Sequence, residues 1–130
     1  MMKSTNAAAA YRTATFDNAP PIKILRMLFE GAIRFLKYAE DLEPGTDDYR
    51  NQIRKTDKIL GELRATLDHQ PSPEIAANLE NLYLFAQEEL ASAFLNGERE
   101  RIGPVREVLE TLLDGWNQAQ VQLSRQNGAA

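Results

Sequence analysis

Apolar residues recur at alternating steps of three and four along one stretch of the chain: Ile102, Val105, Leu109, Leu112, Trp116, Ala119 and Leu123. That rhythm puts every member on one side of an α-helix and scatters them over both faces of a strand. A shorter version runs through Ile53, Thr56, Leu60, Leu63 and Leu67, and another through Ile75, Leu79, Leu82, Ala86, Leu90 and Ala93. No useful length alternates with a period of two, so a sheet has no support.

Punctuation divides the chain into four helices. The first is expected from about Pro21 to Leu42, entered through Asn18-Ala19-Pro20-Pro21 and stopped by Pro44-Gly45. Asn18 suits a cap, and prolines lack the amide hydrogens that a first turn leaves unpaired. The second starts at Thr46 or Asp47, both with a capping oxygen. Asp68-His69-Gln70-Pro71-Ser72-Pro73 breaks the chain. Ser72, Pro73 and Glu74 then read as N-cap, first-turn proline and an acid facing the helix dipole. Asn96-Gly97 closes the third helix, since glycine tolerates the left-handed conformation. The fourth has two candidate starts: Pro104 is comfortable in a helix beginning at Gly103 and would kink one beginning near Glu98.

Segments of this length span roughly 30–37 Å as helices, and short connections favour antiparallel neighbours. The expected fold is all-α, an antiparallel up-down four-helix bundle with an N-terminal arm. Residues 1–19 form the arm, 20–126 the bundle and 127–130 a frayed tail; 130 residues leave no room for a second domain.

Composition removes several functions. Fifteen Lys and Arg against nineteen Asp and Glu give a formal charge of -4, without the positive field that nucleic acid demands. With no cysteine and one histidine there is no thiolate nucleophile or cysteine zinc site, and no Glu-x-x-His pair for a di-metal bundle. Neither a metal nor a cofactor is expected, nor an enzyme. His69 lies in a proline-flanked turn without the basic residue and glycine of a phosphotransfer site, and is read as an exposed loop residue. Glu30, Glu62 and Glu88-Glu89 are read as solvated helix charges. The opening residues lack the Leu-rich core of a signal peptide, and no window is apolar enough to span a bilayer, so a cytoplasmic protein without membrane insertion is expected.

Apolar residues exceed what a bundle hides. More than half of the first helix is apolar, and Tyr83, Leu84, Phe85, Phe94 and Leu95 lie off the main stripe of the third. A bundle helix usually buries about three positions in seven. The remainder calls for the N-terminal arm, a second copy of the chain or a partner polypeptide, so self-association stays open beside client binding. Gly31, at a cost of about 1 kcal/mol against alanine in a helix, is read as a point of close helix approach. Trp116 is read as core.

The order of particular residues goes further. Tyr11, Phe16, Ala19 and Pro21, followed by Met27-Leu28-Phe29-Glu30-Gly31-Ala32-Ile33-Arg34-Phe35, resemble the opening of the flagellar secretion chaperone family FliS. The likeness continues through Ile59-Leu60 and Leu67, Asn78-Leu79 with Leu82-Tyr83, Leu90, Ala93 and Trp116, covering about residues 11 to 120. Asn18, Pro20 and Phe29 depart from it: the first two alter the helix entry, and Phe29 lacks a phenolic hydroxyl.

The resemblance implies a non-enzymatic chaperone that binds the disordered C-terminal segment of flagellin, prevents early filament assembly and helps deliver the subunit to the export-gate protein. It connects an arm carrying Tyr11 and Phe16 with capping the client site and with export-gate contact. A disordered client suits a large apolar surface, because ordering it consumes part of the interaction energy and keeps binding releasable. Client-binding candidates on the second and third helices are Ile53, Ile59, Leu63, Leu67, Leu79, Leu82, Tyr83 and Ala86, several of which must also serve the core. The competing reading is a helical adaptor or signalling bundle that binds a folded protein, which the apolar surplus favours but the Tyr11-to-Phe35 pattern does not explain.

Overall fold

The computed structural model describes residues 21–129. Four helices account for most of them: α1 (Pro21–Glu40), α2 (Asp47–Ala65), α3 (Pro73–Asn96) and α4 (Ile102–Ala129), with a 3-10 turn at Arg99–Arg101. No strand occurs among the described residues. The arm, with Asn18, Tyr11 and Phe16, lies outside them.

Local chemistry sets the boundaries. α1 stops at Glu40, two residues short of the expected Leu42, because the amides of Asp41 and Leu42 donate to the carbonyls of Tyr38 and Ala39, 3.1 Å each, tightening the last turn. Of the two candidate caps for α2, Thr46 takes the role: its Oγ1 accepts from the Tyr49 amide at 3.3 Å. Ser72 caps α3, accepting from the Ile75 amide at 3.4 Å, and Gly97 ends it at φ 67°. The 3-10 turn resolves the start of α4. Ile102 opens the helix, so Pro104 falls in the first turn, where no carbonyl awaits its missing amide. α4 remains helical through Ala129, across most of the tail that the sequence reading treats as frayed.

Cross-helix contacts fix the antiparallel order. The Tyr49 hydroxyl at the start of α2 donates to the Ala93 carbonyl near the end of α3, 2.8 Å away. Arg106, early in α4, is bound by Glu40 at the end of α1 and also reaches Glu110 at 2.9 Å. Arg99 donates to the Leu42 carbonyl at 2.6 Å, and Arg101 pairs with Glu98 and Glu89, tying the connecting turn to α1 and α3. α1 packs most extensively, against both α2 and α4, while α3 touches α2 and α4 less.

The core is a chain of large side chains: Phe29 and Leu36 from α1, Tyr49, Leu60 and Leu63 from α2, Tyr83 and Leu90 from α3, Ile102 and Leu109 from α4. Phe29 sits at the centre, its ring 6.4 Å from those of both Tyr83 and Trp116. Trp116 packs partly buried on the core. Gly31 is buried, but a methyl there would rest 3.7 Å from Ile59 Cδ1, an ordinary contact. Close approach therefore does not require the glycine.

The stripe of α3 differs from the sequence expectation. Its buried set is Ala76, Leu79, Tyr83, Ala86, Leu90 and Ala93; Ile75 points outward at 60% exposure and Leu82 is half-buried. Leu82 and Tyr83 are adjacent and both apolar, so periodicity alone fits either. The larger ring fills the space opposite Phe29, which moves the stripe by one residue at that turn.

Candidate functional site

An apolar groove of about 280 Å³ runs between α2 and α3, lined by Ile53, Arg54, Asp57, Gln87, Leu90, Ala91, Phe94 and Leu95. Leu90 and Ile53 form its floor as the outer edge of the core. Phe94 packs against the core with one face, and the Arg54 guanidinium lies 5.3 Å from its ring centroid.

Toward the C-terminal half of α2 a polar ladder closes the space between the helices. Gln87 donates from Nε2 to Asp57 at 3.1 Å and accepts from Arg64 Nη1 at 3.1 Å; Arg64 also faces Glu80 at 3.8 Å. Near the Tyr49 end no such ladder exists among the described groove residues, and the walls there are apolar apart from Arg54.

The outer lip on α3 extends the apolar surface. Leu95 is 76% exposed, and Leu84, seven residues before Ala91 and so on nearly the same helical face, is exposed too. Met27, Tyr38 and Phe85 are further exposed large apolar side chains. Part of the surplus is thus present on the folded chain; Phe94 packs partly on the core, most of the apolar face of α1 is covered, and Tyr83, expected off the stripe, is buried, where desolvation pushes its phenol up to about 12.

The residues named from sequence do not gather into one exposed patch. Ile53 lines the groove. Leu63, Leu79, Tyr83 and Ala86 are buried in the core, Ile59 lies against Gly31 of α1, and Leu67 falls beyond the end of α2. The groove's other walls, Phe94 and Leu95 above all, were visible in sequence only as apolar residues outside the α3 stripe. Arg54, Asp57 and Gln87 carry no such signal, because polar residues on a helix ordinarily read as solvated.

Among the described residues no group of His, Cys, Asp and Glu is arranged to hold a metal ion. No described helix is long and apolar enough to cross a membrane. His69 is exposed in the connection between α2 and α3. What the groove offers is contact area rather than reactive groups.

Comparison with known proteins gives the same picture a name. The family model described as "Flagellar protein FliS" matches residues 4–123. The flagellar secretion chaperone FliS of Salmonella typhimurium is 31% identical over 132 residues, covering 96% of this chain and 98% of its own length. That of Campylobacter jejuni is 30% identical over 120 residues, 90% and 93% of the two chains. The Bacillus subtilis chaperone is more distant, 24% identical over 120 residues. Matched nearly end to end by relatives of its own length, and folded as a helical bundle throughout the described residues, this chain belongs to the FliS family of flagellar proteins.

Proposed function

We propose that the protein is a cytoplasmic export chaperone that binds the disordered C-terminal segment of flagellin, holds it back from polymerising and helps present it to the export-gate protein. The observation that carries this reading is the open apolar groove between α2 and α3, continued by Leu84 and Leu95, on a chain of the FliS family. A single exposed leucine would mean little, but an apolar groove continued by exposed leucines is the kind of contiguous surface that marks an interaction site.

The client contacts belong to two sets. Ile53, Ala91, Phe94 and Leu95 meet the client directly, while Leu63, Leu79, Tyr83 and Ala86 hold the two helices at the separation that keeps the groove open. Ile59, Leu67 and Leu82 are half-buried outside the groove lining, and we assign them no direct client contact. Tyr11 and Phe16 on the arm supply the export-gate contact. Chemistry at this surface would be binding alone, so the protein acts without catalysis.

The test is a pull-down and calorimetric titration with purified flagellin, full-length and without its C-terminal segment. A stable complex with the intact subunit only supports the proposal. Equal binding to both forms would contradict it and favour an adaptor that recognises a folded partner.

A further inference from the structure

The two lips of the groove differ in chemistry. On α3 the lip carries Leu84, Ala91 and Leu95, with Glu88 exposed between them. On α2 Arg54 lines the groove, and Lys58, exposed and one helical turn on, shares its helical face just beyond the lining residues, so that like charges face each other. Arg50, Arg64, Arg101 and Arg106 each pair with a carboxylate, and Lys37 does too; among the described residues neither Arg54 nor Lys58 has one. Among the described residues Arg54 donates from Nη1 to the neutral amide oxygen of Asn51 at 2.8 Å, and its guanidinium lies over Phe94. A chain of net charge -4 thus places, on the α2 side of its apolar groove, two cations with no ion-pair partner among the described residues, with Asp57 between them.

We infer that the segment seated in this groove is amphipathic and acidic: apolar side chains toward Leu90, Phe94 and Leu95, carboxylates along the edge that lies over α2, against Arg54 and Lys58. The inference rests on the client reading above and specifies the chemistry of the client. Two carboxylates on the chaperone define the direction. Asp57 keeps its charge while accepting from the Gln87 amide, so the α2 edge carries two cations against one carboxylate, whereas Glu88 is exposed on α3, where an acidic edge would be repelled. At about 0.1 M salt charges beyond roughly 10 Å are screened, and the two nearby cations outweigh the distant excess of acids. Charge pairs at such a rim set orientation and partner choice more than total affinity.

Two synthetic amphipathic peptides with the same leucines, one with glutamates and the other with lysines on the polar face, serve as probes in calorimetric titrations of the full chain. At 0.1 M salt the glutamate peptide is expected to bind at least tenfold more tightly, with the preference shrinking as salt rises to about 0.5 M. Arg54→Glu combined with Lys58→Glu should reverse the preference, and the amide pair Arg54→Gln with Lys58→Gln should abolish it, with unchanged helical circular dichroism in both. Equal affinities in the wild type, no binding of either peptide, or a preference that survives the double reversal would overturn the inference. Flagellin separates the two levels: unchanged binding by the reversed variant removes the acidic edge and leaves the chaperone reading. Failure of the wild type to bind flagellin, with the peptide preference intact, removes the chaperone reading alone.

Discussion

At the scale of single residues, Tyr83 shows how burial becomes a property that can be measured. Its phenol ionises at about 12 in the folded chain because the core does not solvate a phenolate, against about 10 in the unfolded chain. Below pH 10 the proton is bound in both states and stability is unaffected. As pH rises from about 10 toward 12 the unfolded chain loses its proton first, and stability falls by up to about 2–3 kcal/mol. Tyr49, also raised chiefly by desolvation, adds to the loss in the same direction. Urea unfolding at about pH 9 and pH 11 should show a steep drop in the wild type and a smaller one in Tyr83→Phe; identical drops would mean the ring is not sealed from water. Gly31 gives the opposite kind of prediction. Its added methyl meets Ile59 Cδ1 and Arg34 Nη2, both at ordinary distances, so Gly31→Ala should stabilise by about 1 kcal/mol, read as a higher denaturant midpoint with unchanged slope.

At the scale of elements, α3 performs two tasks on opposite sides. Its inner stripe holds the core and its outer lip is the proposed client surface, and the substitutions that separate these tasks are one residue type at two positions. Leu95→Asp, at a site 76% exposed, should leave thermal stability within about 0.5 kcal/mol and weaken flagellin binding. Tyr83→Asp, by contrast, buries a carboxylate in the core and should unfold the chain, so its loss of binding would say nothing about the groove. The ends of α3 are set locally. Ser72→Ala should cost about 0.5–1 kcal/mol, the low end for a cap, given the long 3.4 Å contact to the Ile75 amide. Gly97→Ala should cost about 1–2 kcal/mol, because a Cβ at φ 67° is strained and would sit 3.3 Å from Pro44 Cβ. Chemical denaturation of each variant checks both figures.

At the scale of the whole molecule, α1 supplies the anchoring surface and α3 the available one. α1 packs heavily on α2 and α4, and Glu40 with Arg106 and Arg99 with the Leu42 carbonyl tie its end to the following elements. α3 makes fewer contacts with its neighbours, and the groove opens on its α2 side. An apolar dye such as ANS should therefore bind the native protein without any loss of helical signal. Leu84→Glu with Leu95→Glu should reduce that fluorescence at least twofold, as should saturation with flagellin. Unchanged fluorescence in both cases would place the exposed apolar surface elsewhere on the bundle.

The sequence by itself determined the four helices, the cap at Ser72, the glycine stop at Gly97 and the existence of more apolar surface than a bundle hides. Each follows from interactions within a few residues of the chain, where spacing and side-chain type are sufficient physics. Only the tertiary structure decided that Tyr83 rather than Leu82 turns inward, and that the groove is walled by Phe94 and Leu95 with Arg54 over the Phe94 ring. Those outcomes depend on what faces a residue across the bundle. Two adjacent apolar side chains compete for one space opposite Phe29, and an arginine reads the same in sequence whether a carboxylate comes to meet it or an aromatic ring does.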